Sequence, residues 1–121
     1  VEASCAFYRD YCGLKTIVRP SEVKSDNVIW MAEEGRENSF IFILIAGDTT
    51  PQKPEDYGHF GFAMGSKDEV DAVATRARQD GILVWEPREE PFPVGYYCGV
   101  RDPDGCFVEF SYGQPLGGTS T

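Results

Sequence analysis

With 121 residues, 41% of them hydrophobic, the chain has the length and composition of one globular domain with a real core. A net charge of −9 leaves no basic stripe to neutralise phosphates, which argues against a nucleic-acid partner. No apolar run reaches transmembrane length, no signal peptide is visible, and Cys5, Cys12, Cys98 and Cys106 form no CxxC pair, so a cytoplasmic protein with reduced thiols is expected.

In chain order, the first element is a helix. Cys5, Tyr8 and Cys12 recur at three- and four-residue spacing, the two cysteines as small buried hydrophobes, and Gly13 closes the helix as a left-handed cap. Leu14 to Arg19 reads as a strand stopped by Pro20, Val28 to Ala32 as a second, and Phe40 to Ala46 as a third beyond the turn at Glu34-Gly35-Arg36. The polar segment Thr49 to Tyr57, with two prolines, reads as a linker. Gly58 to Met64 is then a strand with Phe60, Phe62 and Met64 on one face and His59, Gly61 and Ala63 on the other. The first face is expected to pack on helix and the second to leave room for a ligand. Ser66 and Glu69 form a capping box, and Val70, Val73, Ala74 and Ala77 make the apolar stripe of a helix ending at Gly81. Ile82 to Glu86 is a strand.

The last two strands flank Asp102-Pro103-Asp104-Gly105, where Pro103 presets a turn angle and Gly105 accepts a positive φ. Taking these four residues as the loop pairs Arg101 with Cys106 and Cys98 with Glu109. Phe107, Glu109 and Ser111 would then share a face with Tyr96, Cys98 and Val100. Glu109 is the anomaly, a carboxylate in an apolar strand. It is either an edge residue facing water or a group with a cation, a donor or a metal beside it. His59 is the chain's one histidine, so any site that needs imidazole must use it.

An offset of 68 residues carries Gly13 onto Gly81, Leu14 onto Ile82 and Ala6 onto Ala74. Each half is thus a helix followed by three strands, and the second half has one further strand before its helix. If the repeat holds, a matching strand precedes Val1, with the counterpart of His59 about ten residues upstream.

A tandem βαβββ plan, with Ala6-Phe7-Tyr8 running to Gly13-Leu14 and a closing Asp102-Pro103-Asp104-Gly105 hairpin, resembles the vicinal oxygen chelate superfamily of glyoxalases, extradiol dioxygenases and bleomycin and fosfomycin resistance proteins. The resemblance spans essentially the whole chain. It implies an α+β domain over residues 1–121, with unit one at 1–48, the linker at 49–57, unit two at 58–113 and a tail at 114–121. It further implies curved mixed sheets around a pocket, and a homodimer. His59 matches the first-strand metal ligand of unit two and Glu109 the last-strand ligand. A histidine upstream would complete a two-histidine, one-carboxylate face of the kind that leaves positions open on Fe(II) or Mn(II), with Ni and Zn as other candidates. Two departures narrow the chemistry. The corresponding slot of unit one, Ile41-Phe42-Ile43, offers no donor, which disfavours the four-ligand glyoxalase I reaction. Gly99 stands where extradiol dioxygenases carry a tyrosine.

Trp30, Tyr96, Cys98 and Phe107 are candidate substrate-binding residues, with core the ordinary place for Trp30 and Trp85. Cys98, set opposite Glu109, is expected to be an inert thiol because a neighbouring carboxylate raises its pKa. The expected function is that of a metal-dependent glyoxalase- or dioxygenase-type enzyme on a small oxygen-bearing substrate. The alternative is a metal-free protein that sequesters a drug or metabolite.

Overall fold

Helix α1 (Glu2–Cys12) opens the chain in a computed structural model that describes residues 2–17, 28–53, 55–56 and 58–115. It buries Ser4, Phe7 and Tyr8, whereas Cys5 and Cys12 are only half-buried. The expected cysteine stripe is therefore displaced by an aromatic one, because two rings offer far more apolar area than two thiols. Tyr8 reaches Phe42 with ring centroids 4.6 Å apart, which seats the helix on the sheet that follows. Gly13 takes φ +71 and donates its N–H to the Arg9 carbonyl, the expected left-handed cap.

That sheet comprises β1 (Lys15–Ile17), β2 (Val28–Ala32) and β3 (Phe42–Ile45), antiparallel in the order β1-β2-β3. The expected end of the first strand, at Val18, Arg19 and Pro20, lies outside the described residues. The third strand starts later than expected because the Ser39 and Phe40 N–H groups both turn back to the Arg36 carbonyl. These elements form one compact unit, residues 1–50, and residues 51–121 form another.

In the second unit, β4 (Phe60–Ala63) leads into helix α2 (Lys67–Asp80), followed by β5 (Leu83–Glu90), β6 (Gly95–Arg101) and β7 (Phe107–Tyr112). The sheet order is β4-β7-β6-β5, with β4 parallel to β7 and the other neighbours antiparallel, so this unit is a βαβββ motif with a mixed sheet. The Ser66 hydroxyl caps α2 through the Glu69 N–H. The Glu69 carboxylate returns to the Gly65 N–H, one residue earlier than a capping box places it. At the other end Gly81 donates to Arg78 and Ile82 to Ala77, a Schellman closure.

Val70, Ala74 and Ala77 face the sheet with no more than 1% exposure, over Cys98, Val100, Val108 and Phe110. Phe60, expected under this helix, is 39% exposed, and Phe62 is half-buried against Phe110. The physical reason is position: β4 is an edge strand, and α2 lies over the three strands beyond it. The offset of 68 superposes the two helix caps but not the two buried faces. It would carry Val70, Ala74 and Ala77 onto Glu2, Ala6 and Arg9, of which none is buried. A cap follows local glycine chemistry, whereas the buried face follows the sheet beneath.

The closing hairpin departs from expectation by one residue. Gly105 donates to the Asp102 carbonyl as a four-residue turn requires, but at φ +85 it adds a bulge, and pairing resumes between the Asp102 N–H and the Cys106 carbonyl. The Asp102 carboxylate fixes the loop by accepting from the Asp104 and Cys106 N–H groups at 2.9 and 2.8 Å. Arg101 therefore pairs with Phe107, Gly99 with Glu109, and Cys98 with Phe110. Gln52, in the stretch expected to be a linker, is bonded into this unit. Its N–H goes to the Gly105 carbonyl, its Oε1 accepts from the Phe107 N–H, and its carbonyl accepts from Arg101. Pro54 and Tyr57 lie outside the described residues, as do 116–121 of the tail. Among the described residues no helix is long and apolar enough to cross a membrane.

Candidate functional site

A one-residue change of register exchanges the faces of a strand. Glu109 consequently shares its face with Gly99, Tyr97 and Arg101, while Tyr96, Cys98 and Val100 turn to α2. This corrects the expected grouping of Tyr96 and Cys98 with Glu109. Tyr96 donates its hydroxyl to Asp71 on α2, and that bond pushes its pKa up to about 12. Cys98 lies fully buried against the Val70 carbonyl, and burial pushes its thiol up to about 12, with the carboxylates a lesser cause. It is an inert thiol, for a different leading reason than the one expected.

His59 precedes β4 and points to the Glu109 face. The parallel pairing of β4 with β7 sets Gly61 beside Glu109, and a Cβ at Gly61 would lie 3.3 Å from the carboxylate Oε2. The bare glycine thus leaves room for the carboxylate beside the histidine. His59 Nε2 stands 3.7 Å from Glu109 Oε1, the glutamate side chain only 12% exposed and the histidine 36%. Gln114 donates to the other oxygen, Oε2, at 3.3 Å. Trp85 meets the imidazole edge-on, ring centroids 5.4 Å apart.

These groups open into a cavity of about 280 Å³, walled by Trp85, Tyr97 and Val94 and carrying His59, Glu109, Arg88 and Asp56 as its polar groups. Trp85, whose ordinary place was the core, is a pocket wall instead because Gly99 gives it a seat. A Cβ at Gly99 would fall 2.0 Å from the indole. The indole thus occupies the space of any side chain at the position where extradiol dioxygenases carry tyrosine. Phe107 is fully buried under Trp85 and Arg101, a support for the wall rather than part of it. Trp30 belongs to the first unit, paired on β2 with Ile17 and Ile43.

Sequence reasoning missed Tyr97 through the register, and Arg88 because the expected strand spans only Ile82 to Glu86, whereas β5 runs on through Pro87 to Glu90. β5 is an edge strand, where proline is tolerated at a bulge, and its pairing shifts between Trp85 and Arg88. Tyr97, opposite Arg88, has its pKa raised, chiefly by burial and next by Glu90, and stays a neutral hydroxyl.

Two donors 3.7 Å apart are close to the spacing of two ligands on one ion, about 3–3.4 Å for bonds of roughly 2.1 Å. Nitrogen and carboxylate oxygen suit Fe, Mn, Ni or Zn. Among the described residues no third His, Cys, Asp or Glu joins them to make a three-ligand cluster.

The sequence profile of the Glyoxalase/Bleomycin resistance protein/Dioxygenase superfamily matches residues 1–110, and the chain belongs to that superfamily. An uncharacterized protein of Pseudomonas aeruginosa is 52% identical over 118 residues, covering 97% of this chain and 84% of that protein. A lactoylglutathione lyase structure from Agrobacterium tumefaciens is similar with a TM-score of 0.64 at 26% identity, over 97% of this chain and 88% of the other. A mutant fosfomycin resistance protein from Listeria monocytogenes, complexed with Mn(II) and a dihydroxypropylphosphonic acid, has a TM-score of 0.70 at 18% identity, over 96% and 85%. The superfamily holds metal-dependent enzymes that act on small molecules, and the fold here is theirs.

Proposed function

We propose that the chain is a metal-dependent enzyme of the glyoxalase and dioxygenase type, acting on a small oxygen-bearing substrate. The observation that carries this reading is the His59–Glu109 pair, 3.7 Å apart at a cavity walled by Trp85, Val94 and Tyr97. His59 and Glu109 would hold a divalent ion, with a third protein ligand from outside the described residues. Such an ion supplies a Lewis acid that polarises two substrate oxygens. Gln114 fixes one oxygen of Glu109 and leaves the other toward His59, while the Trp85 edge holds the imidazole plane. Trp85 and Tyr97 exclude water from one side of the ligand. The absence of a donor at Ile41-Phe42-Ile43 continues to disfavour the four-ligand reaction.

Titration of Mn(II) or Ni(II) into the full-length native protein by calorimetry tests this. Wild type should bind close to one ion per chain, and His59→Ala and Glu109→Ala should each lose at least ten- to a hundredfold in affinity. A second reading, sequestration of a drug between aromatic walls, draws on Trp85 and Tyr97 facing a cavity with the acids Asp56 and Glu109. Wild type that binds no metal yet holds an aromatic cation would establish it and overturn the enzyme.

A further inference from the structure

The metal reading leaves Arg88 unused. Six of the described cations rest on carboxylates: Arg9 on Asp10, Lys15 on Glu37, Arg36 on Glu33, Lys67 on Glu89, Arg76 on Asp80 and Arg78 on Glu86. Arg101 donates to the Gln52 carbonyl and lies over Phe107. Arg88 lines the cavity, and among the described residues no carboxylate comes within ion-pair distance of it. Of the nine described cations, Lys53, Arg88 and Arg101 have no carboxylate partner among the described residues, and Arg88 is the one of the three that lines the cavity. Its placement is set by two strands: it pairs with Tyr97 across β5 and β6, on the face that carries Glu109.

We propose that Arg88 is a specificity-determining residue that receives the anionic oxyacid group, carboxylate or phosph(on)ate, of a small substrate whose other oxygens face His59 and Glu109. The substrate class is then a small anion with a charged end and a chelating end, an inference that rests on the enzyme reading for its chelating end only. Guanidinium is suited to the task, since its planar fork matches two oxygens of one oxyanion and it stays charged at every working pH. The Tyr97 hydroxyl beside it is itself neutral, and the Glu90 carboxylate that raises its pKa is not among the groups lining the cavity. The remaining acids of the cavity, Asp56 and Glu109, would repel an anion placed near them, so the arginine end is where its charge belongs. A cavity of about 280 Å³ lies just below the span typical of drug-sized ligands, which sets the scale of the substrate.

The test uses metal-free full-length protein and three probes of one shape: benzoate, phenylphosphonate and neutral benzamide. The Trp85 indole resonance reports the cavity. Saturable movement of that resonance is expected with at least one of the two anions, and benzoate against phenylphosphonate then tells which oxyacid the arginine prefers. Arg88→Gln should weaken that binding about ten- to a hundredfold, the worth of a charge-assisted bond. Arg88→Lys, which keeps the charge and loses the fork, should fall between, and it remains informative if Arg88→Gln fails to fold. Benzamide binding as tightly as the better of the two anions, or that anion binding Arg88→Gln as well as wild type, would overturn the assignment. Metal binding decides the enzyme reading separately. A protein that takes the anion but no metal keeps Arg88 and loses the enzyme, and one that takes metal but no anion does the reverse.

Discussion

Gly99 and Gly61 shape the site by what they lack. The indole of Trp85 lies where a Cβ at position 99 would be, 2.0 Å from its ring, and the Glu109 carboxylate lies over position 61. Gly99→Ala must drive Trp85 off its seat, and through it the edge contact with His59. The expected cost is about 1–3 kcal/mol, the range for overpacking, read from denaturant melts with a shift in tryptophan emission. A stable variant with unchanged emission would show that the indole has another place to go. Cys98 makes the opposite point. Its position in the strand suggested a thiol at the pocket, yet it is a buried filler against Val70.

At the scale of elements, helix α2 decides which residues of the second sheet form the core. Phe110, on β7 beneath the helix, is fully buried, whereas Phe62 on the edge strand is half-covered. Phe110→Ala should therefore destabilise by about 3–5 kcal/mol, as a buried aromatic truncation does. Phe62→Ala should cost only about 1–2 kcal/mol, part of the transfer free energy of a ring. Chemical denaturation of both variants checks the ranking, and equal losses would mean that β4 is covered as deeply as β7. The hairpin belongs to this scale as well. One bulge residue, Gly105, moves the register by one and with it every face assignment across β6 and β7.

For the whole molecule the decisive quantity is the charge. At −9 the chain attracts a divalent cation from a distance and repels a free anion, although both are proposed for one cavity. Raising the salt should therefore slow metal association, since the long-range field is screened beyond about 8–10 Å at 0.1–0.15 M. Metal release, set by the ligands themselves, should change little. Stopped-flow metal uptake at low and physiological salt separates the two, and an association rate indifferent to salt would deny the field any role.

The amino-acid sequence is informative about whatever depends on neighbours along the chain. The β2 strand Val28–Ala32, the α2 stripe and its Ser66 cap, the left-handed closures at Gly13 and Gly81, and the βαβββ plan of the second unit all follow from local periodicity and cap chemistry. It also singled out His59 and Glu109, because a lone imidazole and a carboxylate in an apolar strand are legible without coordinates. Tertiary structure alone decided which residues stand around them. The bulge at Gly105 replaced Tyr96 and Cys98 with Tyr97 and Gly99, the edge position of β5 let the strand run through Pro87 to Arg88, and the missing Cβ at Gly99 brought Trp85 out of the core. The physical reason is that periodicity fixes the alternation of a strand but not its phase against a partner, and that phase is set by turn geometry and by the surface beneath.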